Sequence, residues 1–547
     1  MRRGPISRII KILISIVAVF IAFWFMLPAL NFRSIDMWYF IIVCIIICVA
    51  INFFSDIIAI FRNKSNKVFT SGSHISIKEI SRPVLISAAV IAGIFIFTVI
   101  ASVIGAQLFN ASRYNKLITP EEGSFTEDVS EIGKNQIPVV DRDTASRLGK
   151  RKLGEMSDLV SQFEIQELYT QINYNGRPVR VTPLVYGDII KWFNNRTKGI
   201  PAYITVDMTT QETNLVRLES GIKYSQSEYF MRNLQRYLRF HYPTKIFDGI
   251  SFEIDDNGTP YWVASCVKFR IGLWSGRDIG GAVLLNAVTG ESVYYDVKDI
   301  PTWVDQVYSS SLVLNQLTYN GKYRSGFFNS IFGQKGVLQP TDGYNYLAIN
   351  DDVYLYTGMT SVTSDQSNVG FILTNLRTKE TKFYSIPGAE EYSAMSSAEG
   401  QVQHLAYKST FPLLLNVSER PTYFMSLKDD AGLVKMYAFV DVQQYQIVGT
   451  GSTVNEARAD YVSKLRDEDV EIGDTEDTEV SGIIEKISSA VVSGNTCYYI
   501  KLQDDAQIYT VPVTLSDNLP FAVPGDAVKL TVSKSESSLT VIDIIFG

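Results

Sequence analysis

Histidine is almost missing from this chain, with three in 547 residues. His74, His241 and His404 stand far apart and none has a second ligand four residues on, which excludes a zinc-protease helix. Cysteine is nearly as scarce. Cys44 and Cys48 fall inside an apolar run, leaving Cys266 and Cys497 in segments that read as separate domains, so no disulfide framework is expected and only docking of the two domains would let that pair meet. There is no nucleophile elbow, no phosphate-cradling P-loop, no dinucleotide-binding glycine pattern and no C-x-x-C. The net charge is −7, which argues against a nucleic-acid partner.

Charge is also absent from three long stretches near the amino end. Nothing charged lies between Lys11 and Arg33, nor from Met37 to Ser55, and Val84 to Phe109 is a third apolar run. Each is long enough at helical rise to cross a bilayer core of about 30 Å. The runs are too long, and too many, for a removable signal peptide. Lys and Arg near span ends are retained in the cytoplasm. Arg2, Arg3, Arg8 and Lys11 precede the first run, while Arg62, Lys64, Lys67, Lys78 and Arg82 separate the second from the third. The reading is a membrane domain over 1–110 with a cytoplasmic amino end, and everything after about Asn110 outside the cell membrane.

A polar stretch, 111–160, punctuated by Pro and Gly and carrying the basic knot Lys150-Arg151-Lys152, reads as a juxtamembrane connector. From 161 to 466 the pattern alternates as strands do, and a formula recurs: Asp207-x-x-Thr210-x-Glu212, Asn286-x-x-Thr289-x-Glu291, Asn375-x-x-Thr378-x-Glu380 and the degenerate Asp441-x-x-Gln444-x-Gln446. Sliding the chain by 89 residues lays Gly281 on Gly370, Leu284 on Leu373 and Tyr295 on Tyr384, with no gap. An Asp or Asn that ends a strand accepts hydrogen bonds from backbone N–H groups two and three residues on, and a Thr hydroxyl closes the other side. The formula therefore predicts a repeated hairpin rather than a ligand site. Amphipathic helices are expected at 188–197, 227–240 and 397–407, making each unit a helix followed by a short antiparallel sheet.

Helix, strands and then a hairpin of the sense Asp-x-x-Thr-Gly-Glu resembles the PepSY-type module, matched best by Ala282–Val297 with Asn286, Thr289, Gly290 and Glu291. The resemblance spans Asp188 to Leu465 as repeated copies. Gln211 and Lys379 stand where the turn glycine belongs, and the fourth copy lacks both Thr and Glu. It implies modules that bind or inhibit proteins, as in protease propeptides and membrane-anchored bacterial envelope proteins, and the whole chain is similar to membrane proteins of Gram-positive bacteria.

Tyr319 to Tyr346, dense in Gly and aromatics, does not fit the repeat; it is either a long loop packed on the sheet, the favoured reading, or a binding surface of exposed aromatics. An acidic run over 467–480 reads as a solvated linker. Residues 481–547 read as five short strands of a small OB-like or SH3-like barrel. Glu253, Asp255, Asn257 and Gly258 imitate the start of a calcium loop, but Ala264 stands where the bidentate acid belongs. The pairs Asp255-Asp256, Asp351-Asp352 and Asp429-Asp430 sit beside strands, where neighbours point to opposite faces.

The expected fold class is thus α+β: three transmembrane helices, repeated PepSY-like modules and a terminal barrel. No catalytic, cofactor or metal residue is singled out. The functional expectation is a non-catalytic scaffold or regulator of the cell envelope whose partners are the lipid bilayer and an envelope protein or wall polymer. The alternatives are a hydrolase using dispersed Asp and Glu, and an accessory subunit of a transport or secretion complex, for which Gly93 and Gly105 in the third span are the only hint.

Overall fold

The computed structural model describes residues 5–67, 82–131, 137–361, 367–468, 470, 477–492, 495–516, 518–535 and 538–547. Residues 68–81 of the basic loop between the second and third spans, with Lys78 and His74, and half of the acidic run lie outside these residues.

The three apolar runs are helices, α1 (Pro5–Met26), α2 (Ile35–Lys67) and α3 (Arg82–Ile104), each long and apolar enough to cross a membrane. Lys11 Nζ donates to the Asn52 carbonyl at 3.0 Å and Asn52 Nδ2 to Ser15 Oγ at 3.3 Å, so the polar atoms on these two helices face one another. The end of α1, the start of α2 and the end of α3 all meet the β-rich region. The Leu30 N–H donates to the Pro243 carbonyl at 2.7 Å, Arg33 Nη1 to the Phe269 carbonyl at 2.9 Å, and Trp274 packs edge-on against Phe97. Gly105 lets the turn at Ser275 come so close that a Cβ there would collide with the Ser275 side chain, which gives that glycine a packing role.

Four sheets follow, and each contains the same four-stranded antiparallel meander. The first runs Thr170–Tyr174, Arg177–Tyr186, Ile200–Asp207, Thr213–Ile222. The second runs Phe247–Ile254, Pro260–Ile271, Ser275–Asn286, Ser292–Asp296. The third runs Asn345–Ile349, Asp352–Ser361, Ser367–Asn375, Thr381–Tyr384. The fourth runs Leu413–Val417, Arg420–Lys428, Val434–Asp441, Val448–Gly451. A helix precedes each: Arg142–Gly154, Leu234–His241, Ser310–Lys322 and Glu391–Gln401.

The recurrent formula closes the last hairpin of every meander. Asp207 Oδ1 accepts from the N–H groups of Thr209 (2.8 Å) and Thr210 (2.9 Å), Asn286 Oδ1 from Val288 and Thr289 (both 2.9 Å), and Asn375 Oδ1 from Arg377 and Thr378 (both 2.9 Å). The hydroxyls of Thr210, Thr289 and Thr378 accept from the N–H of Glu212, Glu291 and Glu380. Gln211 and Lys379 take positive φ, 65° and 67°, at the position where Gly290 has 81°. In the fourth copy Asp441 still accepts from Gln443 and Gln444, but Val440 pairs with Val448, so the chain returns one residue late. Without the Thr hydroxyl nothing fixes the shorter return.

Several expectations are corrected. The stretch read as a connector, 111–160, is packed: its apolar residues Phe125, Val129, Val139, Leu153 and Leu159 belong to the main core. The helix expected at 397–407 lies at Glu391–Gln401, where Ala394 and Ala398 supply the buried face, and that expected at 227–240 begins only at Leu234, after a single 3-10 turn. Trp192 of the helix Ile189–Asn195 is buried, but Phe193 is 58% exposed. Within 319–346, Phe328, Ile331 and Phe332 project outward.

The main core runs through all four meanders, a second joins the second and third, and the carboxyl-terminal strands have a separate core around Ile500, Leu530 and Val541. Those strands, Asp477–Val492, Asn495–Leu502, Ile508–Pro512, Ala527–Ser535 and Ser538–Phe546, pair in the order first, second, third, fifth, fourth and back to the first. Cys266, on the second strand of the second meander, and Cys497, in the last domain, are both free thiols.

Candidate functional site

The first strands of neighbouring meanders approach one another, and between them lies a cavity of about 520 Å³ to which all four modules contribute. That size suits a small ligand or a protruding group of a larger one. Its apolar wall includes Leu168, Met208, Ile250, Phe411 and Phe424, and its polar groups include Gln171, Arg180, Thr410, Ser426 and Tyr346. Arg142, Asp143 and Tyr344 line it too and are exposed, so they form its rim.

Arg180 is the chemically informative residue. It sits on the strand Arg177–Tyr186, which is buried on both faces, and its side chain is carried inside with only 6% exposure. Nη2 donates to Gln171 Oε1 at 3.3 Å, while Nε has no partner. Among the described residues it has no ion pair. Burial pulls its pKa down to about 10, slightly offset by Tyr346 and Asp141, so it remains a cation at neutral pH. A buried guanidinium with unused donors is costly unless something anionic reaches it.

The nearest acid is already engaged. Asp141 caps the helix Arg142–Gly154 by accepting from the Thr144 N–H at 2.9 Å and pairs with Lys428 Nζ at 2.6 Å. Burial pushes its pKa up, but these bonds outweigh it and hold the carboxyl below its usual range. Gln171 is held in turn: its Nε2 donates to the Tyr346 carbonyl at 3.4 Å, and its own carbonyl accepts from Gln306 Nε2 at 3.1 Å. Burial pushes the Tyr346 hydroxyl up to about 12, so it stays a neutral donor.

Behind this wall lie two carboxyls whose pKa burial raises. Glu253, fully buried, is pushed up to about 7; it accepts from Ser251 Oγ (2.7 Å) and from the N–H groups of Asp305 (2.8 Å) and Gln306 (3.2 Å). Asp305 is raised well above its ordinary value, first by burial and then by the Glu253 charge. Its Oδ2 accepts from the Asn173 N–H at 2.7 Å and its Oδ1 has no partner. Neither carboxyl lines the cavity. They join the first strand of the second meander to that of the first.

Two of the acid pairs noted in the sequence come near each other: burial raises the Asp351 pKa, and the Asp256 and Asp352 charges add to it. Asp255 Oδ1 accepts from Asn257 and Thr259 in a tight turn, Asp352 forms a two-bonded pair with Arg377, and Asp429 accepts from Leu433. His241 stacks on Tyr237. Among the described residues no three His, Cys, Asp or Glu side chains are placed to hold a metal ion together. Arg180 escaped the sequence reading. Its signal is an arginine in an otherwise apolar strand, Pro178-Val179-Arg180-Val181, where a solvent-facing residue was the simpler reading.

No protein-family model matches this chain, and no curated protein matches it.

Proposed function

We propose that this is a membrane-anchored binding protein of a bacterial cell envelope, exposed outside the membrane, whose four PepSY-like modules surround a receptor cavity for an anionic group of an envelope partner, either a protein or a wall polymer. The observation that carries the reading is Arg180, a buried cation with no ion-pair partner among the described residues, on the wall of a cavity that all four modules share. The basic residues before α1 and between α2 and α3 favour an external position for the modules. The strand order of the last domain suits an OB-like barrel, a second binding surface. A hydrolase would call for raised carboxyls lining the cavity, whereas Glu253 and Asp305 bind backbone N–H groups in the interior.

The test is Arg180→Met in the full chain in nanodiscs, measured for stability and for binding of acidic peptides and of poly(glycerol phosphate) fragments. A charge-assisted hydrogen bond inside a protein contributes about 1.5–3 kcal/mol, so the variant should lose ~10–100-fold in affinity. Without ligand it should melt higher, because an unpaired buried charge has gone. Unchanged affinity together with a lower melting temperature would show that Arg180 is merely structural.

A further inference from the structure

The β-rich region meets the membrane helices through an aromatic seam, and that seam continues outward into two exposed apolar patches. Trp24 in the last turn of α1, Trp38 in the first turn of α2 and Trp274 in the turn beside α3 mark the level at which the helices emerge, as tryptophans do at a bilayer surface.

The first patch starts at Trp24. The Arg236 guanidinium lies 4.3 Å from the centre of that ring and donates through Nη1 to the Phe230 carbonyl at 2.9 Å, while Phe240 packs edge-on against Phe23 of α1. Phe230 and Tyr229 pack on Trp192, with centroids 6.0 and 4.7 Å away. Around them Ile189, Ile190, Phe193 and Met231 are exposed, and Phe230 is 65% exposed. Arg196 covers the Phe193 ring at 3.8 Å.

The second patch starts at the end of α3. Gln107, in the helix α4 (Gln107–Asn115), hydrogen-bonds both Tyr319 and Tyr323, and Tyr114 Oη donates to the Gly105 carbonyl at 2.9 Å. From Tyr323 the rings run on to Phe327 (6.1 Å) and Phe328 (5.8 Å further). One π-helical turn, Asn329–Gly333, then holds Ile331 and Phe332 outward, Phe332 at 81% exposure, with Lys322, Arg324 and Lys335 exposed nearby.

We propose that these two patches are feet that enter the near leaflet of the same bilayer that α1–α3 cross, so that the β-rich region lies against the membrane instead of standing away from it. Both are joined by ring contacts and hydrogen bonds to residues at the ends of the membrane helices. Both combine large apolar tips with arginine or lysine, the composition of segments that sit among lipid headgroups. Neither packs into a core, so folding alone gives no reason for five aliphatic and aromatic tips on one patch and three on the other.

Full-length protein carrying C44A, C48A, C266A and C497S, in nanodiscs of phosphatidylglycerol and phosphatidylethanolamine, would be spin-labelled singly at F230C, F332C and, as a control on an exposed turn, D430C. The depth readout is relaxation by oxygen, which enters lipid, against relaxation by a water-soluble nickel complex. Oxygen should dominate at 230 and 332, and nickel at 430. Nickel dominance at either foot overturns the proposal, as does accessibility to neither reagent, the signature of a protein interface or a second copy. Labels at I190C and I331C, one on each foot, should repeat the pattern and guard against a local fault of any single variant.

Discussion

Asp305 binds its proton more tightly in the folded protein than in water. Desolvation and the neighbouring Glu253 raise its pKa well above the ordinary value, and Glu253 itself is pushed up to about 7. Both folded values exceed the unfolded ones, so the native state binds these protons more tightly. The stability they contribute is complete below the ordinary carboxylate range and is lost as pH rises through the folded values. For Glu253 alone, the interval from 4.5 to about 7 corresponds to roughly 3 kcal/mol. The protein should therefore melt higher near pH 5 than near pH 8. Asp305→Asn keeps an acceptor for the Asn173 N–H and removes one titration, so it should flatten the profile and raise the melting temperature mainly at the alkaline end, as measured by thermal unfolding across that range. A steeper profile would mean that the group is ionised in the native protein.

At the scale of elements, the hairpin turns were legible because their chemistry is local. A carboxylate or amide accepting from two N–H groups, a Thr hydroxyl accepting from a third, and one left-handed residue form the whole device. That residue is Gln in the first copy and Lys in the third, and the two should respond differently to glycine. Gln211→Gly relieves a φ of 65° but gives up a side-chain hydrogen bond to Tyr437, so it should be close to neutral, within about 1 kcal/mol. Lys379→Gly relieves the same strain but removes the Nζ bonds to buried Asp278 (2.6 Å) and to the Leu117 carbonyl (3.0 Å), and should cost about 1–2 kcal/mol net. Denaturant or thermal unfolding of the two variants in parallel checks the difference. The first hairpins of the meanders were half legible. Asn175-Gly176 advertises its turn, but Ser418-Glu419 adopts φ of 53° and 59° without the residues that favour it; packing of the flanking strands decides there. Packing likewise placed the helix Glu391–Gln401 six residues ahead of its expected start, since Ser and Ala leave the periodicity weak.

For the whole molecule, the carboxyl-terminal strands share no core cluster with the four modules. Residues 477–547 should consequently fold alone, and a chain ending at 468 should show the remaining unfolding transition unmoved, by calorimetry of both pieces. A shift of that transition by several degrees would reveal docking between the two parts. The modules behave differently: their main core is continuous from Phe125 to Leu465, so loss of any one meander should unfold its neighbours rather than shorten an array.

From sequence alone came the three apolar helices, the repeated hairpin with its hydrogen-bond scheme, and the five terminal strands, because length, hydropathy and turn chemistry are written in consecutive residues. Only the tertiary structure decided that a polar stretch before the modules belongs to their core, that four meanders bring their first strands together around a cavity, and that Arg180 stands there with no ion-pair partner among the described residues. The reason is that burial and pairing depend on residues far apart along the chain: Arg180 meets Gln171 on the adjoining strand, with Tyr346 from a different module beyond it, and no period or spacing in the sequence records that meeting.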